Sequence, residues 1–250
     1  MIKLEKVTVS FGTKHVLKNI SCSVEPGDFI VIVGTNGAGK STFFDTLAGR
    51  TIPSNGSISI DGVDVTQLNQ QHRSSLVTRI FQNTSLNSVG SFTVHQNLAL
   101  ARYSRRNVTF ADGLKSMPRL EAANIVTTLG FPESILDQAM QSLSGGQRQL
   151  VAFAMATLAI PKVLLLDEPT AALDPQASTK LLHHAVRFIK KHKITTLLIT
   201  HDPHIALSIG NKIWILKDGT ITQEFKAHEK AHLNPDDLIG HIDYKELTAL

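Results

Sequence analysis

Eight consecutive residues, Gly34-Thr35-Asn36-Gly37-Ala38-Gly39-Lys40-Ser41, fit the pattern G-x-x-x-x-G-K-[ST]. The chemistry this pattern serves is phosphate binding. Its glycines let the backbone curl so that successive N–H groups face phosphate oxygens, and the helix that follows adds the positive end of its dipole. Lys40 is spaced to reach the β- and γ-phosphates of a nucleotide, and the Ser41 hydroxyl to hold Mg2+. A second group follows the aliphatic run Val163-Leu164-Leu165-Leu166, where Asp167 and Glu168 stand side by side. Asp167 could bind Mg2+ through water, and Glu168 could polarise a water for attack on the γ-phosphate. Taken alone, aliphatics before Asp-Glu fit a solvated strand end equally well; beside a phosphate loop they acquire a role. A third group, Leu143-Ser144-Gly145-Gly146-Gln147, opens the apolar run Leu150 to Ile160. A hydroxyl and two glycines at a helix start make another anion site.

These groups need elements to hold them. The first 30 residues read as strands, and Asp28 to Val33 is a short apolar run that ends at Gly34, as a buried strand would. Helix signals follow from Lys40 to Ala48. Asp61-Gly62 and Asp218-Gly219 each lie between apolar runs and predict hairpin turns. Val77 to Phe81, Val163 to Leu166 and Ile194 to Ile199 read as strands; Thr93 to Ala101 and Arg119 to Leu129 read as helices. Asp174-Pro175 predicts a helix start, with Asp as cap and Pro at the first position. Aliphatic strands alternating with helices imply an α/β fold with a parallel sheet covered on both faces, and the early hairpins add an antiparallel piece. The last 25 residues are polar with a weak helical signal.

Composition narrows the class. The 250 residues suffice for a sizeable core. The longest nearly apolar run, Leu150 to Ile160, is 11 residues, too short to cross a bilayer and suited to a buried helix. The N-terminus has no basic region leading into a long apolar stretch, so no signal peptide is expected. One cysteine, Cys22, excludes an internal disulfide framework and suits a reducing compartment. The net charge is +4, and the excess is local: residues 101–120 hold five of the 25 basic residues and one of the 21 acidic ones. No nucleic-acid partner is expected from so local an excess. The segment with Arg102, Arg105 and Arg106 reads either as a solvated face or as a contact for a membrane surface or partner.

With the order GTNGAGKS, LSGGQ, LLLDEP, the chain resembles the ATP-binding-cassette (ABC) ATPase family from about residue 2 to 225. The resemblance implies a P-loop NTPase (RecA-like) core with a small antiparallel β subdomain and a helical signature subdomain. It places the core and antiparallel part at about 1–82 and 160–225, the helical subdomain at about 83–159, and a tail at 226–250. ATP and Mg2+ are the implied cofactors. Phe11 lies where the family stacks an aromatic on adenine. Gln82, at the end of the expected strand, resembles the glutamine that senses Mg2+ and the attacking water. His201 resembles the switch histidine beside the γ-phosphate, and Leu173-Asp174 the loop at the dimer interface. The resemblance implies that Gly34 through Ser41 and the adjacent Thr42 hold the nucleotide and that Ser144, Gly145, Gly146 and Gln147 complete the site of a partner chain. Ser41, Gln82 and Asp167 are the implied metal group, and Glu168, His201, Gln82 and Lys40 the catalytic one. Ala172 departs from the family, which often has Ser there, and Thr35 is a tolerable variant.

The transport branch of the family is the closer match. The chain is similar to bacterial ATPases that accompany branched-chain-amino-acid-type permeases, some labelled as aromatic amino-acid transport subunits. That similarity implies a homodimer, a polytopic membrane permease, an indirect solute-binding protein, and a place on the cytoplasmic face of the membrane. The alternative is a soluble ABC ATPase of the cluster-assembly or regulatory kind. The DNA-repair class needs a long coiled-coil insertion that 250 residues cannot hold.

Overall fold

The computed structural model describes residues 1–83, 86–103, 117–171 and 173–242. Arg105, Arg106, Lys115 and Ala172 lie outside them. The strands are β1 (Ile2–Phe11), β2 (Lys14–Val24), β3 (Phe29–Val33), β4 (Asn55–Ile60), β5 (Val63–Asp64), β6 (Val77–Ile80), β7 (Val163–Asp167), β8 (Thr195–Ile199), β9 (Lys212–Lys217) and β10 (Thr220–Phe225). The chain forms two compact units. The first comprises Met1–Arg79, Lys162–Glu168 and Lys193–Leu250, and the second Ile80–Pro161 and Pro169–His192.

The first unit holds two sheets. Six strands run in the order β10-β9-β3-β8-β7-β6, and four in the order β2-β1-β4-β5. β3 pairs parallel with β8 and β9, and β7 parallel with β8. Every residue of β3 and β8 is buried, which is why they read as unbroken aliphatic runs. Parallel pairing sends the C-terminal ends of β3, β7 and β8 to one edge, the edge at which open α/β sheets bind ligands. Gly34, Asp167 and Thr200 therefore leave the sheet side by side. Below them Phe43 meets Trp214 edge-on, ring centres 6.4 Å apart, in the core shared by both sheets.

Local chemistry sets the boundaries. Both Asp-Gly hairpins form, with Asp61 and Asp218 at φ of 53° and 48°. β3 starts at Phe29, not at Asp28. The Asp28 carboxylate is taken up by Glu25 N (2.9 Å), Asn211 Nδ2 (2.9 Å) and Lys212 Nζ (2.6 Å). Burial pushes its pKa up, and these donors outweigh burial and hold it below the usual carboxylate value. Arg73 is fully buried, and backbone carbonyls take up its guanidinium. It donates to Thr46 O, Leu47 O and Thr66 O, so its charge caps the C-terminal carbonyls of the helix Lys40–Leu47.

The second unit is helical, with helices Val94–Tyr103, Arg119–Thr128, Gly145–Thr157 and Pro175–His192. Thr93 opens the first: its Oγ1 accepts from Gln96 N, and Gln96 Oε1 accepts from Thr93 N. The last two pack through Phe153 and Phe188, 5.9 Å apart and nearly perpendicular. The expected strand to Phe81 and Gln82 stops at Ile80. The Asn87 side chain takes over the next backbone bonds, accepting from Phe81 N at 3.0 Å and donating to Phe81 O at 2.8 Å. Gln82 therefore sits in a bend after the strand. Arg102 pairs with Glu121, and Arg119 with Glu133 and Asp137, so two of the five basic residues between 101 and 120 are held by acids of their own unit. No helix among the described residues is long and apolar enough to cross a membrane.

Candidate nucleotide site

The loop Gly34–Gly39 leaves β3 and turns directly into the helix Lys40–Leu47. Asn36 and Gly37 are exposed at its crest, and Ala38 N closes a turn onto Thr35 O at 3.2 Å. Gly39 caps the helix at φ 101°, a backbone setting that L side chains rarely adopt. A Cβ there would stand 3.0 Å from Leu17 Cδ2 and 3.1 Å from Val16 O, so β2 lies against the loop. The β1–β2 hairpin that provides this wall also carries Phe11 at its tip, 56% exposed. More than half of this aromatic residue is open to solvent.

Lys40 is buried, and its Nζ donates to Gly34 O (2.6 Å) and Thr35 O (2.9 Å). Burial lowers its pKa, and the nearby charges of Glu168 and Asp167 work against that fall. A cation, an opposing pair of carboxylates and a curled loop thus meet at one sheet edge. Ser41 follows Lys40 and is exposed; Thr42 continues the helix, its carbonyl accepting from Thr46 Oγ1 at 2.7 Å.

Glu168 leaves β7 at φ 44°, the left-handed region, which costs a non-glycine residue of the order of 1 kcal/mol. Its N–H donates to Ile199 O at 3.0 Å, which fixes the turn. Its Oε2 lies 3.2 Å from His201 Nδ1. His201 is largely exposed and Glu168 is mostly buried, 66% and 20%. The carboxylate thus has one bonded oxygen and a partner that reaches solvent, an arrangement suited to holding a water and taking its proton. Asp167, one residue earlier, is bound by Arg79, whose Nη2 donates to Oδ2 at 2.5 Å, while Nη1 donates to Asp45 Oδ1 at 2.7 Å. Sequence reasoning missed both Arg79 and Asp45. The available signal was a charged residue inside the apolar strand Val77–Ile80.

The first unit therefore brings together the loop Gly34–Ser41, Asp167, Glu168 and His201, and carries Phe11 at the tip of the β1–β2 hairpin. Gln82, Ser144–Gln147 and Asp174 belong to the second. There Ser144 caps the helix Gly145–Thr157: its Oγ accepts from Gln147 N (3.2 Å), and Gln147 Oε1 accepts from Ser144 N (2.9 Å). Gly146 abuts the helix Pro175–His192, where a Cβ would come within 2.6 Å of Ala177 Cβ. Asp174 caps that helix as expected, its Oδ1 accepting from Ala177 N at 2.9 Å.

Similarity to known proteins agrees with this geometry. The family described as ABC transporter matches residues 17–171. A tyrosine transport ATP-binding protein of Clostridioides difficile (strain R20291) is 34% identical over 253 residues, spanning 98% of this chain and 99% of its own length. The methionine import ATP-binding protein MetN of Vibrio vulnificus (strain YJ016) is 33% identical over 97% of this chain and 72% of its own. Among solved structures, a dimeric ATP-binding cassette in a post-hydrolysis state with ADP and Pi superposes with a TM-score of 0.75 at 28% identity, over 91% of this chain and 99% of that one. The ADP conformation of an ATP-binding cassette of an ABC transporter gives 0.81 at 25% identity, over 98% and 99%. This chain belongs to the ABC transporter ATP-binding family, which hydrolyses ATP to drive transport.

Proposed function

We propose that the chain is the ATP-hydrolysing subunit of an importer, working as a head-to-tail homodimer that closes on two Mg-ATP. The observation that carries this reading is the meeting of the Lys40 loop, Asp167 and the Glu168–His201 pair at one sheet edge. Backbone N–H groups of the loop and Lys40 hold the β- and γ-phosphates, and Phe11 stacks on adenine. The Ser41 hydroxyl and an Asp167 oxygen are hard donors, few in number, and fit Mg2+, which keeps most of its waters. Mg2+ there would neutralise charge on the β- and γ-phosphates. Glu168 orients a water and takes its proton, and His201 holds Glu168 Oε2 in place. Gln82 reports on the occupied site, and Thr42 contributes to the phosphate cradle. Ser144, Gly145, Gly146 and Gln147 cap the γ-phosphate of the partner chain, with Asp174 at the dimer interface.

The same reading gives the hydrolytic work to the core segments at about 1–82 and 160–225. The helical part at about 83–159 transmits closure to a polytopic permease on the cytoplasmic face of the membrane. A solute-binding protein delivers the cargo. Relatives named for tyrosine transport and methionine import favour amino acids as that cargo. The test is to recover tagged Glu168→Gln protein from detergent-solubilised membranes with Mg-ATP. A polytopic membrane protein near one-to-one stoichiometry is expected. Recovery of a soluble partner alone, with the chain absent from membranes, would replace the transport role by a free-standing ATPase.

A further inference from the structure

Arg79 is buried inside β6, its side chain 7% exposed, beneath the sheet edge that carries the reactive groups. It makes two ion pairs with two different elements, Asp45 on the Lys40 helix and Asp167 at the end of β7. Its guanidinium carbon also lies 5.7 Å from the centre of the Phe44 ring, which fixes the plane of the fork. A guanidinium removed from water in this way is stable only while its carboxylates stay in place, so the three groups move as one. Asp45 stands four residues after Ser41, one turn along the same helix face. Arg79 therefore joins the two walls that bear the proposed cation donors, Ser41 on one and Asp167 on the other. It engages Oδ2 of Asp167, and the Oδ1 oxygen takes no bond from it.

We infer that Arg79 is a positioning residue for the metal: it sets the separation between Ser41 and Asp167 and fixes which Asp167 oxygen faces the cation. This rests on the reading of the site as one for Mg-nucleotide. Two effects of the arginine oppose each other. Its charge repels a second cation beside Asp167, while its bond to Asp167 Oδ2, backed by its bond to Asp45, restrains the rotation of the ligand. Orientation dominates, because both bonds are short and the fork is clamped from both sides. Partners that orient a metal ligand typically carry a 10–100-fold effect on metal affinity.

The experiment uses the whole chain with saturating ADP and Mn2+ as a paramagnetic substitute for Mg2+, read by electron paramagnetic resonance. Arg79→Met is expected to raise the Mn2+ dissociation constant about tenfold. Arg79→Lys should recover part of that loss, since an ammonium keeps the charge and loses the fork. ADP affinity in EDTA should stay at the wild-type value in both. A folded Arg79→Met chain that binds Mn2+ as well as wild type, or more tightly, overturns the proposal. If Arg79→Met does not fold by circular dichroism, Asp45→Asn decides: it cuts the far end of the tether, and unchanged Mn2+ affinity there overturns the proposal equally. A wild-type chain that binds ADP but no Mn2+ would instead overturn the Mg-nucleotide reading, and the tether with it.

Discussion

The two glycine-bearing helix starts of this chain are built in different ways. Around Lys40, bonds run between elements: Lys40 to the loop carbonyls, Glu168 to His201, Arg79 to Asp45 and Asp167. Around Ser144, bonds close on themselves. Ser144 and Gln147 satisfy each other, and Arg148 Nη1 donates to Leu143 O at 2.7 Å. The first arrangement holds charged groups of opposite sign within reach of a phosphate. The second offers a pre-ordered helix start and a small hydroxyl. One has the parts for chemistry and the other the parts for a cap, the division that the proposed head-to-tail dimer calls for.

Glu168→Gln is expected to slow hydrolysis 10²–10⁴-fold while ATP affinity stays near wild type, read by phosphate release and by titration calorimetry. An equal loss of ATP affinity would place Glu168 in binding and not in chemistry. Lys40→Ala removes charged bonds to phosphate worth about 1.5–3 kcal/mol each, so ATP binding should weaken at least about tenfold. Gly146→Val tests the other start. Its Cβ collides with Ala177, and the overpacking should cost about 1–3 kcal/mol of stability in the second unit. ATP binding by the isolated chain should remain, which thermal melting with and without ATP would separate. Phe11→Ala should weaken ATP binding only a few-fold, in line with about 0.5–1.5 kcal/mol for an aromatic stack, and Phe11→Tyr should restore it.

The smallest effect lies away from both starts. Asp28 has a lowered pKa in the folded chain, so its stabilising contribution is present above the ordinary aspartate value of about 3.9. That contribution is lost as pH falls through the folded-state value. Asp28→Asn should therefore lower stability at neutral pH modestly and flatten the acid limb of the stability profile. An acid limb as steep as wild type would contradict the assignment.

Legibility followed sequence distance. The Gly34–Ser41 loop before a helix, the Asp167-Glu168 pair at a strand end, the Ser144 helix start and the Asp174 cap are local patterns, and the structure forms all four. Strand ends failed where a side chain outside the strand took up groups at its end, from six residues away in one case and more than 180 in the other. β6 stops early because Asn87 bonds to Phe81, and β3 starts late because Asp28 turns to Asn211 and Lys212. Arg79 was invisible because its partners lie 34 and 88 residues away in sequence. The short helix Pro235–Ile242 read only weakly. Its start was nonetheless encoded, since Asn234 Oδ1 accepts from Asp237 N and Asp237 Oδ2 from Asn234 N, with Leu238 buried behind them.

In the proposed dimer each half-site needs the other chain. Sedimentation of the Glu168→Gln protein with and without Mg-ATP tests it most directly. One chain per particle is expected without nucleotide and two with saturating Mg-ATP, reverting when ATP is removed. Particles of a single chain at saturating Mg-ATP would contradict it.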